Sequence, residues 1–405
     1  MVSTGKVREK IAWREVVPSI FLVFNSFVWY ILTYNVFCVI LNELNLMGTE
    51  KLELFTIYYT GAAVSAILGS KLFPRARTKF LELWLFTGAI MTLFLTAISS
   101  NGILANALIA FFLGVSIGIG LPSCLTYFAD ATTIENRGFT GGVIWSFVGF
   151  SVLILALLIN MLGLLETIVT LTIWRLFGGV GFIVLSKEQK TIAVQKSPSY
   201  WEIIRKKGIL LYLFPWIMFS LVNFAEAPIL ETVFGAEFFA FVLLLEYAFI
   251  GIFAIIGGII ADIAGRKRVV ITGFVMLGIE YAALSVFSIS HVAWYLFLIL
   301  DGITWGLFSS VFFMALWGDL GENFEKEKYY ALGGLPFLLA SFVSILISPY
   351  AYDIPRMAAF SFASFFLFLA VLPLMYAPET LPEKTMRDRE LKEYIEKAKK
   401  KAKGK

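Results

Sequence analysis

Twelve times along the chain a stretch of about twenty residues passes with almost no charge, and nothing constrains the fold more than that. A hydrocarbon layer about 30 Å thick takes about 20 apolar residues per helix to cross. The stretches fall near 16–41, 53–72, 80–99, 103–128, 139–161, 164–186, 209–231, 238–261, 269–289, 294–317, 331–350 and 357–376. Inside lipid a backbone must satisfy its own hydrogen bonds, and segments of this length do so as helices. Composition agrees: 59% of the 405 residues are apolar and 15% charged, against about half and a quarter in ordinary globular domains. The expectation is an all-α integral membrane protein, multi-pass, with the lipid bilayer as its constant partner.

The basic residues set the orientation. Of the 33 Lys and Arg, all but Lys51, Arg175 and Arg356 fall on one side of the twelve spans. By the positive-inside rule that side is cytoplasmic, so both termini are expected in the cytoplasm and the chain in the cell membrane. This placement accounts for the formal charge of +4, and no nucleic-acid partner is expected. The first span follows a charged, Trp-containing lead-in and is full length, so no cleavable signal peptide is expected. Cys38 and Cys124 lie inside apolar stretches and read as small buried hydrophobes. His291 is the single histidine, which leaves no His-based metal site or triad. Without a phosphate-binding loop, metal cluster or nucleophile–base pair, neither an enzyme, a cofactor nor an ATP-driven pump is expected.

One loop carries a distinctive charge pattern. Residues 257–268 read GGIIADIAGRKR, with Gly258, Asp262, Gly265, Arg266 and Lys267 at its fixed points. An acid at a helix end followed by a basic cluster makes a charge lock at the membrane–water boundary. Residues 69–79, GSKLFPRARTK, lie 189 positions earlier and align Gly69 with Gly258, Phe73 with Asp262, and Arg77 with Arg266. The same offset pairs Tyr58 with Tyr247 and Asp130 with Asp319; Arg137 follows the first acid, and Lys326 and Lys328 follow the second. One offset recurring at three separated places implies duplicated halves, 1–190 and 208–380. Between them, 191–207 reads as a cytoplasmic linker with an amphipathic stretch on the membrane surface. Residues 381–405 form a charged cytoplasmic tail.

In this setting Gly258…Asp262…Gly265-Arg266-Lys267 resembles the loop signature of the major facilitator superfamily of transporters, and Pro378-Glu379-Thr380 resembles an ending common there. The resemblance implies two pseudo-symmetric six-helix bundles in a monomer, with helices 1, 4, 7 and 10 around a central cavity. It also implies an inner gate in which Asp262 with Arg266 and Lys267, Asp130 with Arg137, and Asp319 with Lys326 make and break ion pairs. Pairs that switch should be matched in energy and not maximally strong. The same charges serve, more simply, as topology determinants. Phe73 stands where the second half has its acid, so the first half is expected to lack the lock.

Ionisable groups inside a span cost roughly 2.5–3.5 kcal/mol each on insertion scales, so each is a candidate site residue. They are Arg175 in the sixth span, Glu226 in the seventh, Glu246 in the eighth, Glu280 in the ninth and Asp301 in the tenth. The first half adds only amides such as Asn25 and Asn35. By the resemblance, Glu226, Asp301 and Asn25 face the cavity and Glu246 can reach it. A buried carboxyl group can hold a proton while the cavity is closed and release it on opening, which makes H+ the expected coupling ion. Asp301, the deepest, is the first candidate. The plainer alternative is protonated hydrogen-bond donors, or acids in wet crevices at helix ends. Arg175 and Glu280 fall on helices the resemblance places at the periphery, where a snorkelling or locally paired charge is the expected role. Arg175 serves an anionic substrate only if its helix turns it inward. Gly114, Gly118, Gly120, Gly257 and Gly258 suit close helix packing, and Pro122 and Pro228 suit kinks.

The substrate is less constrained. Drug–proton antiporters of this superfamily carry an arginine where this chain has Gly114, and a proline in the fifth helix, which residues 138–158 lack. Tyr127…Asp130…Arg137-Gly138 looks instead like the sugar and metabolite branch, with Asp130 in place of its Glu. The leading expectation is a proton-coupled symporter of a small polar metabolite. An exporter of drugs or amphiphiles, whose cavity would be more aromatic, is the second reading, kept open by the 40 Phe. A non-transporting membrane scaffold or sensor is the third.

Overall fold

The computed structural model describes residues 13–44, 46–72, 76–99, 102–186 and 195–381. Phe73, part of the linker and the tail beyond Leu381 lie outside them, as does the expectation that the tail is a charged extension. The described residues hold twelve helices long and apolar enough to span a membrane, each overlapping one expected stretch. They are α1 (Trp13–Glu43), α2 (Gly48–Leu72), α3 (Arg77–Ala97), α4 (Ile103–Asp130), α5 (Arg137–Ile159) and α6 (Leu164–Leu185). The second set is α7 (Lys207–Phe234), α8 (Ala236–Ala264), α9 (Arg266–Phe287), α10 (His291–Leu320), α11 (Glu327–Tyr350) and α12 (Arg356–Tyr376). Large apolar side chains such as Leu83, Ile90, Phe177 and Phe362 are exposed on their flanks, as lipid-facing residues are.

The helix pairings repeat. α2 packs on α4, α3 on α6 and α1 on α5 in the first bundle; α8 packs on α10, α9 on α12 and α7 on α11 in the second. The two bundles meet along α5–α8 and, in the equivalent place, α2–α11. The α5–α8 contact is the most extensive in the molecule. It is close because glycine backbone lies against backbone: a Cβ at Gly142 would overlap Ala254, and one at Gly258 would overlap Gly138. Small residues do the same within the first bundle, where a Cβ at Gly114 would strike the Tyr58 carbonyl. That contact leaves no room for the antiporter arginine.

Breaks in the helices follow from local chemistry. α4 is interrupted at Ile119–Gly120 and restarts at Leu121 with Pro122 in its first turn, where the missing N–H costs nothing. Gly235 and Gly265 are the single residues joining α7 to α8 and α8 to α9, at φ of 77° and 98°; only glycine takes such a turn without strain. Within α10, Ser309–Ala315 form a π-helical segment. Its wider turn frees the Met314 carbonyl, which accepts the Tyr330 hydroxyl at 2.7 Å.

The described part of the linker, from residue 195 onward, is held against both bundles. Its helix, Tyr200–Ile204, has one turn and a capping box between Ser199 and Glu202. The Tyr200 and Ser70 hydroxyls share a hydrogen bond of 2.5 Å, and Lys328 Nζ donates to the carbonyls of Ser197 and Pro198. It therefore bridges α2 of one bundle and α11 of the other. All these contacts, with the α4–α5, α8–α9 and α10–α11 turns, lie at one end of the molecule, called the basic end below.

The α5–α8 seam makes a direct test. Gly142→Leu forces about 1–3 kcal/mol of overpacking and should lower the melting temperature of detergent-purified protein by about 3–5 °C. Gly48→Ala, where an added Cβ meets nothing within 4 Å, should leave it unchanged. Equal melting of the two variants would contradict backbone-to-backbone contact at the seam.

Candidate functional site: a central cavity above a charge cluster

A cavity of about 250 Å³ lies where the bundles meet. The first bundle contributes Phe27 and Tyr30 of α1, Leu121 and Leu125 of α4, and Trp145 of α5; the second contributes most of the rest. Fourteen of the 28 lining residues are aromatic. The charged ones are Glu246 and Asp301, and no Lys, Arg or His is among them. Asp301 belongs to the α10 stripe Phe297–Asp301–Trp305, spaced four apart on one helix face. Glu246 stands on the α8 stripe with Val242 and Ile250 and within electrostatic reach of Asp301.

Four of the intramembrane candidates stand elsewhere. Asn25 does not line the cavity: its amide donates to the Trp174 carbonyl at 2.8 Å, which turns it onto α6. Glu226 is also outside the lining. The α7 cavity stripe runs through Asn223, Ala227 and Leu230, and Glu226 is about a quarter turn off it. It is 7% exposed, and Oε2 has no hydrogen-bond partner among the described residues. Glu280 is not a peripheral snorkelling charge. It is fully buried because α9 packs inward on both α10 and α12. Neither of its oxygens has a hydrogen-bond partner among the described residues, and Asp301 and Glu246 lie within its electrostatic reach.

Arg175 does not snorkel either. It is fully buried, with its guanidinium between the rings of Trp29 and Trp84 at 4.1 and 4.3 Å. Nη1 donates to Ser26 Oγ at 2.8 Å, while Nε and Nη2 have no partner among the described residues. Two desolvated cation–π contacts contribute about 2 kcal/mol each. Dehydrating the ion costs several kcal/mol, so the arrangement roughly breaks even.

The cavity floor towards the basic end is aromatic. Phe313, on the π-helical segment, lies 5.2 Å from Trp145 and 6.0 Å from Phe27 across the bundle boundary, and 5.2 Å from Trp216 in its own bundle. The wide turn of α10 places consecutive rings so that Phe312 stacks on Trp216 at 4.4 Å while Phe313 reaches across.

Towards the basic end lie the residues expected to form the inner gate, and their pairing differs from the expected one. Arg137 does not pair with Asp130. It crosses to the second bundle, Nη1 to Asp319 at 2.5 Å and Nη2 to Glu322 at 3.0 Å. Lys326 does not pair with Asp319 but crosses to Asp130 at 2.9 Å. Within their own bundles, Arg77 Nη1 holds Asp130 at 2.6 Å and Arg266 Nε holds Asp319 at 3.0 Å. Arg77, Asp130 and Arg137 correspond by the offset of 189 to Arg266, Asp319 and Lys326. The four ion pairs are therefore two copies of one arrangement: each Asp held by an arginine of its own bundle and a cation of the other.

Asp262 completes the second copy. It accepts the N–H groups of Gly138 and Phe139 at the start of α5, at 2.9 and 2.7 Å, and Arg266 Nη1 at 2.9 Å. A carboxylate over a helix N-terminus takes up unpaired N–H groups and complements the dipole. Gly138 has to be small, since a Cβ there would meet Asp262 Oδ1 at 2.5 Å. The Lys267 ammonium makes no ion pair in the cluster and donates to the Met375 carbonyl at 2.6 Å, while its backbone N–H donates to Glu379 at 3.2 Å. Residues outside the expected set do join. Glu379 accepts the Arg266 N–H at 2.8 Å, capping α9, and Thr380 Oγ1 donates to Asp319 Oδ2 at 3.1 Å. The Pro-Glu-Thr stretch was the available signal for both. Arg77 was visible as the mate of Arg266, whereas Glu327, which accepts Arg77 Nη2 at 2.6 Å, had no signal in the repeat.

Arg175 offers a check on burial. Arg175→Met removes a dehydrated charge while keeping bulk, and should melt at or above the wild-type temperature. Arg175→Lys keeps the charge without the flat faces and should melt several degrees lower. The reverse order in thermal-shift measurements would contradict a guanidinium held chiefly by its rings.

The family model of the Major Facilitator Superfamily matches residues 19–315. Among solved structures, the human organic anion transporter MFSD10 (TETRAN) is similar with a TM-score of 0.67 at 13% identity, over 90% of this chain and 99% of that one. FucP, a Major Facilitator Superfamily transporter in the outward conformation, is similar with a TM-score of 0.67 at 11% identity, over 90% of this chain and all of that one. A search of curated protein sequences gives no match. At these identities the structures speak for the fold, and the family model speaks for descent: the chain belongs to the Major Facilitator Superfamily of membrane transporters.

Proposed function

We propose that this transporter moves a small amphiphile with an aromatic or apolar body and a positive charge, exchanging it for protons at Asp301 and Glu246. The observation that carries this reading is the cavity lining: half aromatic, with two carboxyl groups and no basic side chain. Flat apolar groups bury well against rings, and a cation gains from both ring faces and carboxylates. In a dry cavity the two acids do not both ionise without a counter-charge, so a cationic substrate and protons compete for them. Competition for one site is the physical basis of antiport. This favours the amphiphile reading over the polar metabolite.

By the positive-inside rule the basic end faces the cytoplasm. The charge cluster closes that end while its cross-bundle pairs hold, and alternating access follows from breaking them. A symporter of a polar metabolite would rely on Asn223 and the hydroxyls of Tyr30, Tyr247 and Tyr281, which also line the cavity. No scaffold role is needed to explain a cavity with paired acids.

Reconstitution in liposomes separates the readings. A proton gradient should drive movement of a lipophilic cation, and Asp301→Asn should reduce it by about 100-fold while leaving insertion intact, an effect of the size expected for removing an essential proton carrier. Proton-coupled uptake of sugars or organic acids, with no movement of the cation, would establish the symport reading instead. Full coupling in Asp301→Asn would remove that residue from the mechanism.

A further inference from the structure

The two copies of the charge arrangement differ at one point, and the difference is filled from across the bundle boundary. In the second bundle Arg266 touches two carboxylates, Asp262 and Asp319, both on its own side. In the first bundle the position equivalent to Asp262 is Phe73, which has no charge. Arg77 nevertheless also touches two carboxylates: Asp130 of its own bundle, and Glu327 of the other through Nε at 2.9 Å and Nη2 at 2.6 Å.

Glu327 is the first residue of α11 and corresponds by the offset of 189 to Gly138, at the start of α5. At the start of α5 a glycine leaves space that Asp262 fills from the second bundle. At the start of α11 the acid is part of the helix itself. Both helix N-termini thus carry a carboxylate that binds a signature arginine, but the acid has changed sides. We propose that Glu327 replaces the acid missing at position 73, and that the replacement makes the two halves of the gate unequal. This rests on the reading of the cluster as the element closing the basic end.

The consequence concerns opening. When the bundles part, Arg266 keeps both of its carboxylates, since neither belongs to the other bundle. Arg77 loses one of its two, and Glu327, whose side chain is 1% exposed, loses its single ion-pair partner among the described residues. The Arg77–Glu327 contact therefore resists opening directly. The equivalent Arg266–Asp262 contact does not; it only orients Asp262 towards α5. Removing one partner of a buried pair is strongly destabilising to the state that buries it.

Spin labels at Thr133 and Asn323, exposed residues in the α4–α5 and α10–α11 turns of opposite bundles, report the width of the basic end in the full chain in nanodiscs. Glu327→Gln should raise the wide-to-narrow ratio by about tenfold or more. Phe73→Asp with Glu327→Gly, which gives positions 73 and 327 the residues found at their counterparts 262 and 138 by the offset of 189, should return the ratio close to the wild-type value. Arg137→Gln, which removes the cross-bundle contact to Asp319, widens the end in any account in which the cluster is a gate. If Arg137→Gln widens it and Glu327→Gln does not, the role of Glu327 is overturned and the gate stands. If neither does, both fall. A double variant as wide as Glu327→Gln alone would overturn the replacement.

Discussion

Asp130 and Asp319 are each gripped from two sides, by an arginine of their own bundle and by a cation reaching over from the other. The remaining architecture of the basic end depends on that grip. Arg137 and Asp319 are fully buried as a pair, and buried ions lose several kcal/mol of hydration each. Such a pair is offset best where its charges have several partners. Arg137 has them in Asp319, Glu322 and the Ala129 carbonyl. Its carboxylate partners all come from the other bundle, so parting the bundles strips it of counter-charge. The pair is strong when assembled and costly when half assembled, the condition for a closed state that opens as a whole.

Two further layers rest on this one. Towards the ions the cavity is lined by aromatic rings, Phe313 bridging to Trp145 and Phe27, with Trp317 and Tyr330 nearer the charge cluster. Rings packed across the bundle boundary put an apolar layer on that side of the cavity. Along the side, α5 and α8 touch backbone to backbone through Gly142 and Gly258. Glycines at this seam let backbone approach backbone. The cavity acids, Asp301 and Glu246, both belong to the second bundle, and Phe27, Tyr30 and Trp145 of the first line the same cavity.

The parts of this arrangement that a single sequence can express are those written along the chain. Twelve apolar stretches and the offset of 189 are local or periodic, and the structure follows them, even to the repeated ion pairs. Partner choice is different. Arg137 lies seven residues beyond Asp130, and proximity along the chain suggests that pairing. The bundle boundary, which no spacing reveals, sends each cation across instead. Asn25 and Glu226 show the same limit, since helix rotation about its axis is decided by neighbours: Trp174 holds Asn25 on α6, and the α7 stripe leaves Glu226 on its flank. A place on a peripheral helix does not make Arg175 lipid-facing: two tryptophans from α1 and α3 enclose it. The π-helical turn of α10 leaves no mark in composition. Phe73 marks a missing acid in the sequence, and only the fold brings Glu327 within reach of the same arginine.

The central claim is that the double grip on Asp130 and Asp319 keeps the cavity shut at the basic end. Thiol labelling tests it most directly. Asn223, a cavity residue, is changed to Cys in a chain whose Cys38 and Cys124 are replaced, and a bulky membrane-impermeant maleimide is offered from the basic side of sealed vesicles. The account predicts slow labelling with both aspartates present, and labelling faster by about tenfold or more in Asp130→Asn with Asp319→Asn. Equal rates in the two backgrounds would contradict it.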